Sequence, residues 1–333
     1  MFDGLKHRVV QAPMAGTSTP ELAVAVCQAG GLGFLALGAL DAAGAAKAIR
    51  AVRQGTDRAF GVNLFCHAPA RRDAAREAAW IDTLRPAFRR LGAEPPAALS
   101  EIYPGFRSND AMLSVLLAER PAIVGCHFGL PSPDQIAALK GAGCSLWATA
   151  TSAAEGRAIR DAGFDAIVAQ GYEAGGHRGI FDPDGPDGRL DHPALVRALV
   201  PLGLPVVAAG AIMDRAAACM AMDAGAVAVQ CGTAFLRAPE AATLPAHRAA
   251  LSGGQTAMTR AISGRPARCL VNEFTGMDDS GAADYPVAYD IGKALNAAAI
   301  AQGNAGYGAF WAGTGAAASV ARPAADTVLA ISP

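Results

Sequence analysis

One glycine-rich segment, residues 169–179, holds the side chains of this chain best suited to chemistry. It reads AQGYEAGGHRG and follows a short apolar run at 166–169. Glycine adopts backbone conformations that other residues avoid, so a glycine-dense turn lets the main chain approach a bulky ligand closely. His177 within the turn can exchange a proton near neutral pH. The segment therefore predicts a cofactor site that contains a base.

Polar side chains and glycines also stand where other apolar runs of the chain end. Amides, hydroxyls and a second histidine recur there, whereas acidic groups are scarce. Amides and hydroxyls suit a polar heterocycle or a phosphate, and divalent metals such as Mg²⁺ prefer carboxylates, so we expect no metal site. These positions are Met14, Gly38, Asn63, His127, Thr149, Gln170, Gly210, Gln230, Gly232 and Thr233.

Two further patterns in the sequence each allow a structural and a functional interpretation. His127, in CHFGLP, could equally be a core histidine hydrogen-bonded within the protein or a residue of the site. Tyr285, Tyr289 and Lys293 share one face of a predicted helix at 285–302. Alone, that spacing favours two packed aromatics and a lysine whose stem lies along the surface. The alternative is a substrate pocket with phenol donors and one cation for an anionic substrate.

Short apolar runs alternate with alanine-rich helical patterns along most of the chain. The runs are continuous rather than alternating, which indicates strands buried on both faces, as in a parallel sheet covered by helices. The eight predicted strands are 9–13, 34–37, 60–65, 122–127, 145–149, 166–170, 206–209 and 226–231. The helical patterns between and after them are 20–29, 42–53, 70–91, 110–120, 133–141, 152–162, 193–200 and 215–224.

Eight such units predict the α/β class and a (β/α)₈ TIM barrel, in which active-site groups lie at the carboxyl ends of the strands. A doubly wound open sheet is the alternative, but its glycine fingerprint is missing after the first strand. The loops after the last two strands commonly bind phosphate in a barrel. We expect the barrel at 1–237 and a smaller, mainly helical C-terminal lobe over its mouth at 238–333.

The composition is that of an ordinary globular enzyme. The 333 residues are 52% hydrophobic and 17% charged, and the formal net charge is −1. This near-neutral charge argues against a nucleic acid or an anionic membrane surface as partner. The seven cysteines are scattered, without a Cys-x-x-Cys pair, and are expected to be reduced. Since no signal peptide or membrane-spanning run is evident, we expect a cytoplasmic protein.

Together these stretches resemble the nitronate monooxygenases, formerly called 2-nitropropane dioxygenases, and in particular their class I branch. The similarity covers nearly the whole chain. The matching stretches are QAPMAG at 11–16, GVNLF at 61–65, HFGLP at 127–131, QGYEAGGHRG at 170–179, AAG at 208–210, QCGTAF at 230–235, SGRPAR at 263–268, YPVAYDIGKALNAAA at 285–299 and GNAGYGAFWAG at 303–313.

The resemblance implies an FMN-dependent barrel that oxidises alkyl nitronates, such as propionate 3-nitronate, or nitroalkanes with O₂ to carbonyl compounds and nitrite. His177 would be the active-site base. FMN would be bound by Met14, Asn63, Gln170, Gly175, Gly210, Gln230, Gly232 and Thr233. The substrate pocket would be lined by Tyr103, His127, Tyr285, Tyr289 and Lys293. The chain would work as a monomer or homodimer.

Two residues depart from the family pattern. Ala211 stands where a second glycine is usual, and a Cβ there costs free energy if its φ is positive. Cys126 stands where an aromatic is expected. The rival functions are an FMN-dependent NAD(P)H:quinone or enoyl-thioester reductase, a non-flavin barrel acting on a sugar phosphate, and a flavin-binding protein without turnover.

Overall fold

Eight parallel strands close almost completely into a barrel in the computed structural model, which describes residues 2–333. The strand order is β1-β9-β8-β6-β5-β4-β3-β2, and a parallel bridge between Val10 and Leu32 joins the two ends. The strands are β1 Val9–Gln11, β2 Phe34–Ala36, β3 Gly61–Phe65, β4 Ile123–His127, β5 Ser145–Ala150, β6 Ala166–Gln170, β7 Gly176–His177, β8 Val206–Ala209, β9 Ala228–Cys231, β10 Thr256–Thr259 and β11 Ala267–Leu270.

Helices follow the barrel strands and cover the outside of the barrel. Each helix from α1 to α8 begins after a Thr, Asp, Asn or Ser whose side chain accepts a backbone N–H of the first turn, an interaction that stabilises helix starts. The helices are α1 Pro20–Gln28, α2 Ala42–Gly55, α3 Ala74–Arg90, α4 Asp110–Glu119, α5 Pro133–Gly141, α6 Ala153–Asp161, α7 His192–Leu199, α8 Arg215–Asp223, α9 Pro245–Ala250, α10 Val287–Ala301 and α11 Ala324–Ile331.

The barrel prediction is confirmed, and burial explains why the strands have continuous apolar sequences. Successive residues of a strand point to opposite faces. Val9 and Val10 are both fully buried, yet Val9 packs among helix residues and Val10 packs in the barrel interior with Phe34 and Trp147. The predicted bounds of the strands differ from the observed ones by two residues at most.

The C-terminal part of the chain is mainly helical, as expected, and it also contributes to a small sheet that the sequence did not predict. It contains β10 and β11, which form an antiparallel sheet with β7 from the barrel side, in the order β10-β11-β7. It also contains α10, which packs against α3, and α11, which packs on α1 and α8 of the barrel. The division at residue 237 stays a prediction.

The predicted helix at 285–302 begins two residues late, at Val287. Tyr285 precedes Pro286, and a residue before proline is disfavoured in the helical region. The helices within residues 2–333 include none that is long and apolar enough to cross a membrane.

Candidate active site

A cavity of about 540 Å³ opens at the carboxyl ends of the barrel strands. That volume lies within the range of about 300–1,000 Å³ that is usual for ligand sites. Every residue predicted to bind cofactor or substrate, and the predicted base, lines this cavity. They are Met14, Asn63, Tyr103, His127, Gln170, Gly175, His177, Gly210, Gln230, Gly232, Thr233, Tyr285, Tyr289 and Lys293.

The backbone of His177 is held from two sides. As part of β7 it pairs with Ala267 of β11, so the histidine loop is fixed to the C-terminal sheet. Its carbonyl oxygen accepts hydrogen bonds from Gln170 Nε2 at 2.9 Å and His127 Nε2 at 3.2 Å. The base predicted from the glycine-rich loop is therefore on a fixed backbone and not on a free loop.

The ring of His177 has one nitrogen engaged by protein. Its Nε2 lies 2.9 Å from Ser263 Oγ, and that hydroxyl donates to the Arg265 carbonyl at 3.3 Å. Since the serine hydrogen is used there, we assign the histidine proton to Nε2, which leaves the Nδ1 lone pair free to accept a proton. Burial, with smaller contributions from His127 and Arg265, lowers the His177 pKa to about 3. The imidazole is therefore neutral at physiological pH.

Aromatic rings surround His177. The ring centroids of Trp311, Tyr285 and Phe128 lie 4.9, 5.5 and 5.6 Å from its own. The hydroxyl of Tyr285 is buried and has no hydrogen-bond partner among the described residues. Burial raises the pKa of this phenol, so it stays protonated and can donate a hydrogen bond to a ligand.

A buried guanidinium lies behind this aromatic wall. Arg265 is 4% exposed, and its guanidinium carbon lies 4.3 Å from the centroid of the Phe128 ring. It donates to the carbonyls of Ile180 and Phe181. Its positive charge lowers the pKa of both His127 and His177, and so helps to keep the two rings neutral.

Lys293 lies at the exposed side of the cavity between two phenol rings. Its Nζ is 4.7 Å from the ring centroid of Tyr103 and 5.3 Å from that of Tyr289, and it donates a hydrogen bond to the Tyr103 hydroxyl. The three residues of the helical-face pattern thus line a cavity wall that carries one cation, and their contact with a substrate stays a prediction.

Two glycines of the site are required for different reasons, one for its backbone conformation and the other for close packing. Gly210 has φ +133°, a conformation that L side chains rarely adopt. Ala211, which stands where the family usually has a second glycine, follows with φ +47°. A residue with a Cβ is strained in this conformation. At Gly175, an added Cβ would lie 2.4 Å from the backbone of Gly313. Gly175 is therefore required for packing against the C-terminal segment.

Two of the side chains predicted to contact a ligand are hydrogen-bonded to other groups of the protein. His127 Nδ1 bonds Thr149 Oγ1 at 2.9 Å, and burial lowers the His127 pKa to about 4. Gln170 donates to the His177 carbonyl and accepts from Gly179 N at 2.7 Å. Both side chains hold the histidine loop. Their roles toward a ligand stay predictions, as do those of the other cavity residues.

Three neighbours of His177 from the C-terminal part of the chain were not predicted as site residues. Ser263 and Arg265 belong to the SGRPAR stretch and Trp311 to the GNAGYGAFWAG stretch. They lie far from residue 177 in sequence, and only the folding of the C-terminal sheet onto β7 brings them together. Arg178, by contrast, braces the loop: it is 2% exposed and forms a two-pronged ion pair with Asp187 at 2.8 and 2.9 Å.

Comparisons with known proteins agree with this geometry. The family model for nitronate monooxygenase matches residues 2–331. A nitronate monooxygenase of Paraburkholderia phytofirmans is 54% identical, with 98% of this chain and 91% of the relative covered. One of Pseudomonas aeruginosa is 48% identical, with 97% and 94% covered.

Solved structures show the same similarity. The crystal structure of a nitroalkane oxidase from Streptomyces ansochromogenes matches with a TM-score of 0.91 at 38% identity, covering 99% of this chain and 95% of that one. FabK from Thermotoga maritima matches with a TM-score of 0.74 at 27% identity, covering 98% and 92%.

Proposed function

The chain belongs to the nitronate monooxygenase family, and from this premise we propose that it oxidises alkyl nitronates with O₂, using FMN bound in the barrel cavity. The products are a carbonyl compound and nitrogen oxides such as nitrite. One observation carries the proposal: the glycine loops, the neutral His177, the phenols and Lys293 all face a single cavity.

The residues present fit FMN. The cavity wall offers side-chain amides and hydroxyls, and the 210–211 loop has the positive φ values that bring backbone close to a ligand. Asn63 makes only a long hydrogen bond of 3.4 Å, to the Leu64 carbonyl, and Tyr285 has an unpartnered hydroxyl. A heterocycle with polar edges would satisfy such groups.

In this proposal FMN is held by Met14, Asn63, Gln170, Gly175, Gly210, Gln230, Gly232 and Thr233. When bound, it supplies the electron-transfer chemistry that lets a nitronate react with O₂. Lys293 attracts the anionic substrate to the open side of the cavity. The Tyr285 hydroxyl donates a hydrogen bond to the substrate, and the rings of Phe128 and Trp311 exclude water.

His177 has a different task for each form of the substrate. A nitronate carries no α-proton that must be removed, so the neutral imidazole only has to orient it. A neutral nitroalkane must first lose its α-proton, and the Nδ1 lone pair of His177 is the acceptor within this cavity. The low pKa makes His177 a weak base, since a general base works best with a pKa near the working pH. A weak base at this position favours nitronates over neutral nitroalkanes.

The visible spectrum of the purified protein, with oxygen uptake, tests the proposal. We expect flavin absorbance, oxygen consumption on adding propionate 3-nitronate, and no anaerobic bleaching by NADH. Bleaching by NADH without any response to nitronate would instead support a reductase on the same barrel. A colourless protein that cannot be reloaded with FMN would refute the flavin site itself.

A further inference from the structure

A second cavity, of about 570 Å³, lies beside the first at the carboxyl ends of β2 and β3. Of the candidate site positions named from the sequence, only Gly38 and Tyr103 line it. Its walls come from the loop after β2, the start of α2, the end of β3 and the segment leading into α4. The lining residues are Leu37, Gly38, Ala39, Leu40, Asp41, Ala42, Ala43, Leu64, Phe65, Ile102, Tyr103, Pro104, Phe106, Asn109, Ala111 and Met112.

The two cavities share a wall. Ala39, Leu40, Phe65 and Tyr103 line both of them. The Phe65 ring packs so closely on Gly38 that an added Cβ would lie 2.5 Å from its Cδ2. Tyr103 is the phenol that accepts a hydrogen bond from Lys293. The second cavity therefore lies next to the part of the first cavity that carries the Lys293 ammonium group.

The polar side chains of the second cavity are engaged by the protein. The Asp41 carboxylate accepts from Gly44 N at 2.7 Å and caps α2. Asn109 Oδ1 accepts from Met112 N at 3.0 Å and caps α4. The positive ends of both helix dipoles are thus already satisfied by capping oxygens. The remaining lining is mainly aliphatic and aromatic, which suits an apolar occupant.

From this geometry, and resting on the proposed function, we propose that the second cavity binds the alkyl tail of the substrate. The nitronate head lies among His177, Tyr285 and Lys293, and a linear tail passes between Phe65 and Tyr103. Because FMN would occupy much of the first cavity, a tail of more than a few carbons would have its room in the second. The preferred substrates are then longer linear alkyl nitronates with an uncharged end.

A chain-length series tests this inference on the holoenzyme. We expect kcat/KM for linear primary nitronates, from ethyl to octyl, to rise once the tail reaches the second cavity. The rise should be up to about fourfold per added CH₂, which corresponds to about 0.8 kcal/mol. A nitronate of the same length with a carboxylate at its far end should gain nothing, since burying an unpaired charge is unfavourable.

Two tryptophan variants locate the effect. Ala111 is exposed in the first turn of α4 and lines only the second cavity, so Ala111→Trp should flatten the series while ethyl nitronate turnover stays unchanged. Ala118 is exposed on the same helix and lines neither cavity, so Ala118→Trp should keep the wild-type slope. Circular dichroism melting confirms that both variants are folded.

The outcomes separate the inference from the function beneath it. Turnover of ethyl nitronate with a flat wild-type series overturns the tail site and leaves the monooxygenase proposal standing. A steep series that Ala111→Trp leaves unchanged places the tail elsewhere and also overturns it. Failure to oxidise any nitronate removes the proposed function and the inference together.

Discussion

At the residue scale, the site depends on a histidine that the protein keeps uncharged. His177 donates through Nε2 to Ser263, and Arg265 adds positive charge behind the Phe128 ring. Burial is the main reason that a second proton on the imidazole is unfavourable, and the positive charge of Arg265 adds to it. With its pKa lowered to about 3, His177 is half protonated only near pH 3, so its charge stays nearly constant between pH 5 and 8.

His177→Asn should therefore separate the two substrate forms. Turnover of a neutral nitroalkane should fall by about 10²-fold, the lower end of the usual contribution of a general base because this base is weak, and nitronate turnover by less than about tenfold. The wild-type pH profile with nitroalkane should show no ionisation of the enzyme near pH 6.5. Steady-state oxygen consumption with each substrate form measures both expectations.

His7 provides a matched control for this experiment. It also pairs with a serine, through Nδ1 and Ser332 Oγ at 2.8 Å, but lies outside the cavity. His7→Asn should change neither activity. Equal losses on nitroalkane and nitronate in His177→Asn would rule out proton abstraction as its role.

At the element scale, the barrel follows from local sequence, whereas the site also needs long-range contacts. Runs such as 166–170 are buried on both faces, and the Asp and Ser caps mark where helices begin, so the eight units could be predicted. The two-residue strand β7 has no such signal, because only β11, some ninety residues later, makes it a strand. The pairing of Ser263 with His177 depends on that same contact. Tyr285 lines the same cavity as Tyr289 and Lys293 although it precedes the helix.

The loop after β8 allows a stability test. Ala211 has φ +47°, which is unfavourable for a residue with a Cβ by roughly 1 kcal/mol, less the entropy that glycine adds to the unfolded chain. Ala211→Gly should thus raise the free energy of unfolding by up to about 1 kcal/mol, measured by urea denaturation.

Ala142, at the end of α5 with φ −78°, is the control for this measurement. Ala142→Gly should lower the free energy of unfolding by about 0.5–1 kcal/mol. Destabilisation by both changes would show that Ala211 is not strained.

At the scale of the whole molecule, an ion-pair network joins the barrel loops to the C-terminal sheet. Arg71, after β3, pairs with Asp184 at 2.5 Å and with Asp284 at 3.3 Å. Arg260, after β10, pairs with the same Asp184 at 2.8 Å. Asp284 immediately precedes Tyr285 of the cavity wall. These contacts hold three separate segments around the cavity, and the two arginines lower the Asp184 pKa to about 2.

Asp184→Asn should loosen this wall without unfolding the protein. Asp184 is 42% exposed in its side chain, and exposed ion pairs contribute at most about 1 kcal/mol each. We therefore expect KM for nitronate to rise about two- to fivefold with kcat nearly unchanged, because the substrate loses uniform binding when Tyr285 is less well fixed. The wild-type KM should also rise with added salt, which screens exposed charges, and the KM of the variant should respond less.

Asp161 is the matched control, since it pairs with the neighbouring Arg160 at 2.7 Å on α6. Asp161→Asn should leave KM and its salt dependence unchanged. A KM in Asp184→Asn equal to that of Asp161→Asn at low salt would show that the network does not position the cavity wall.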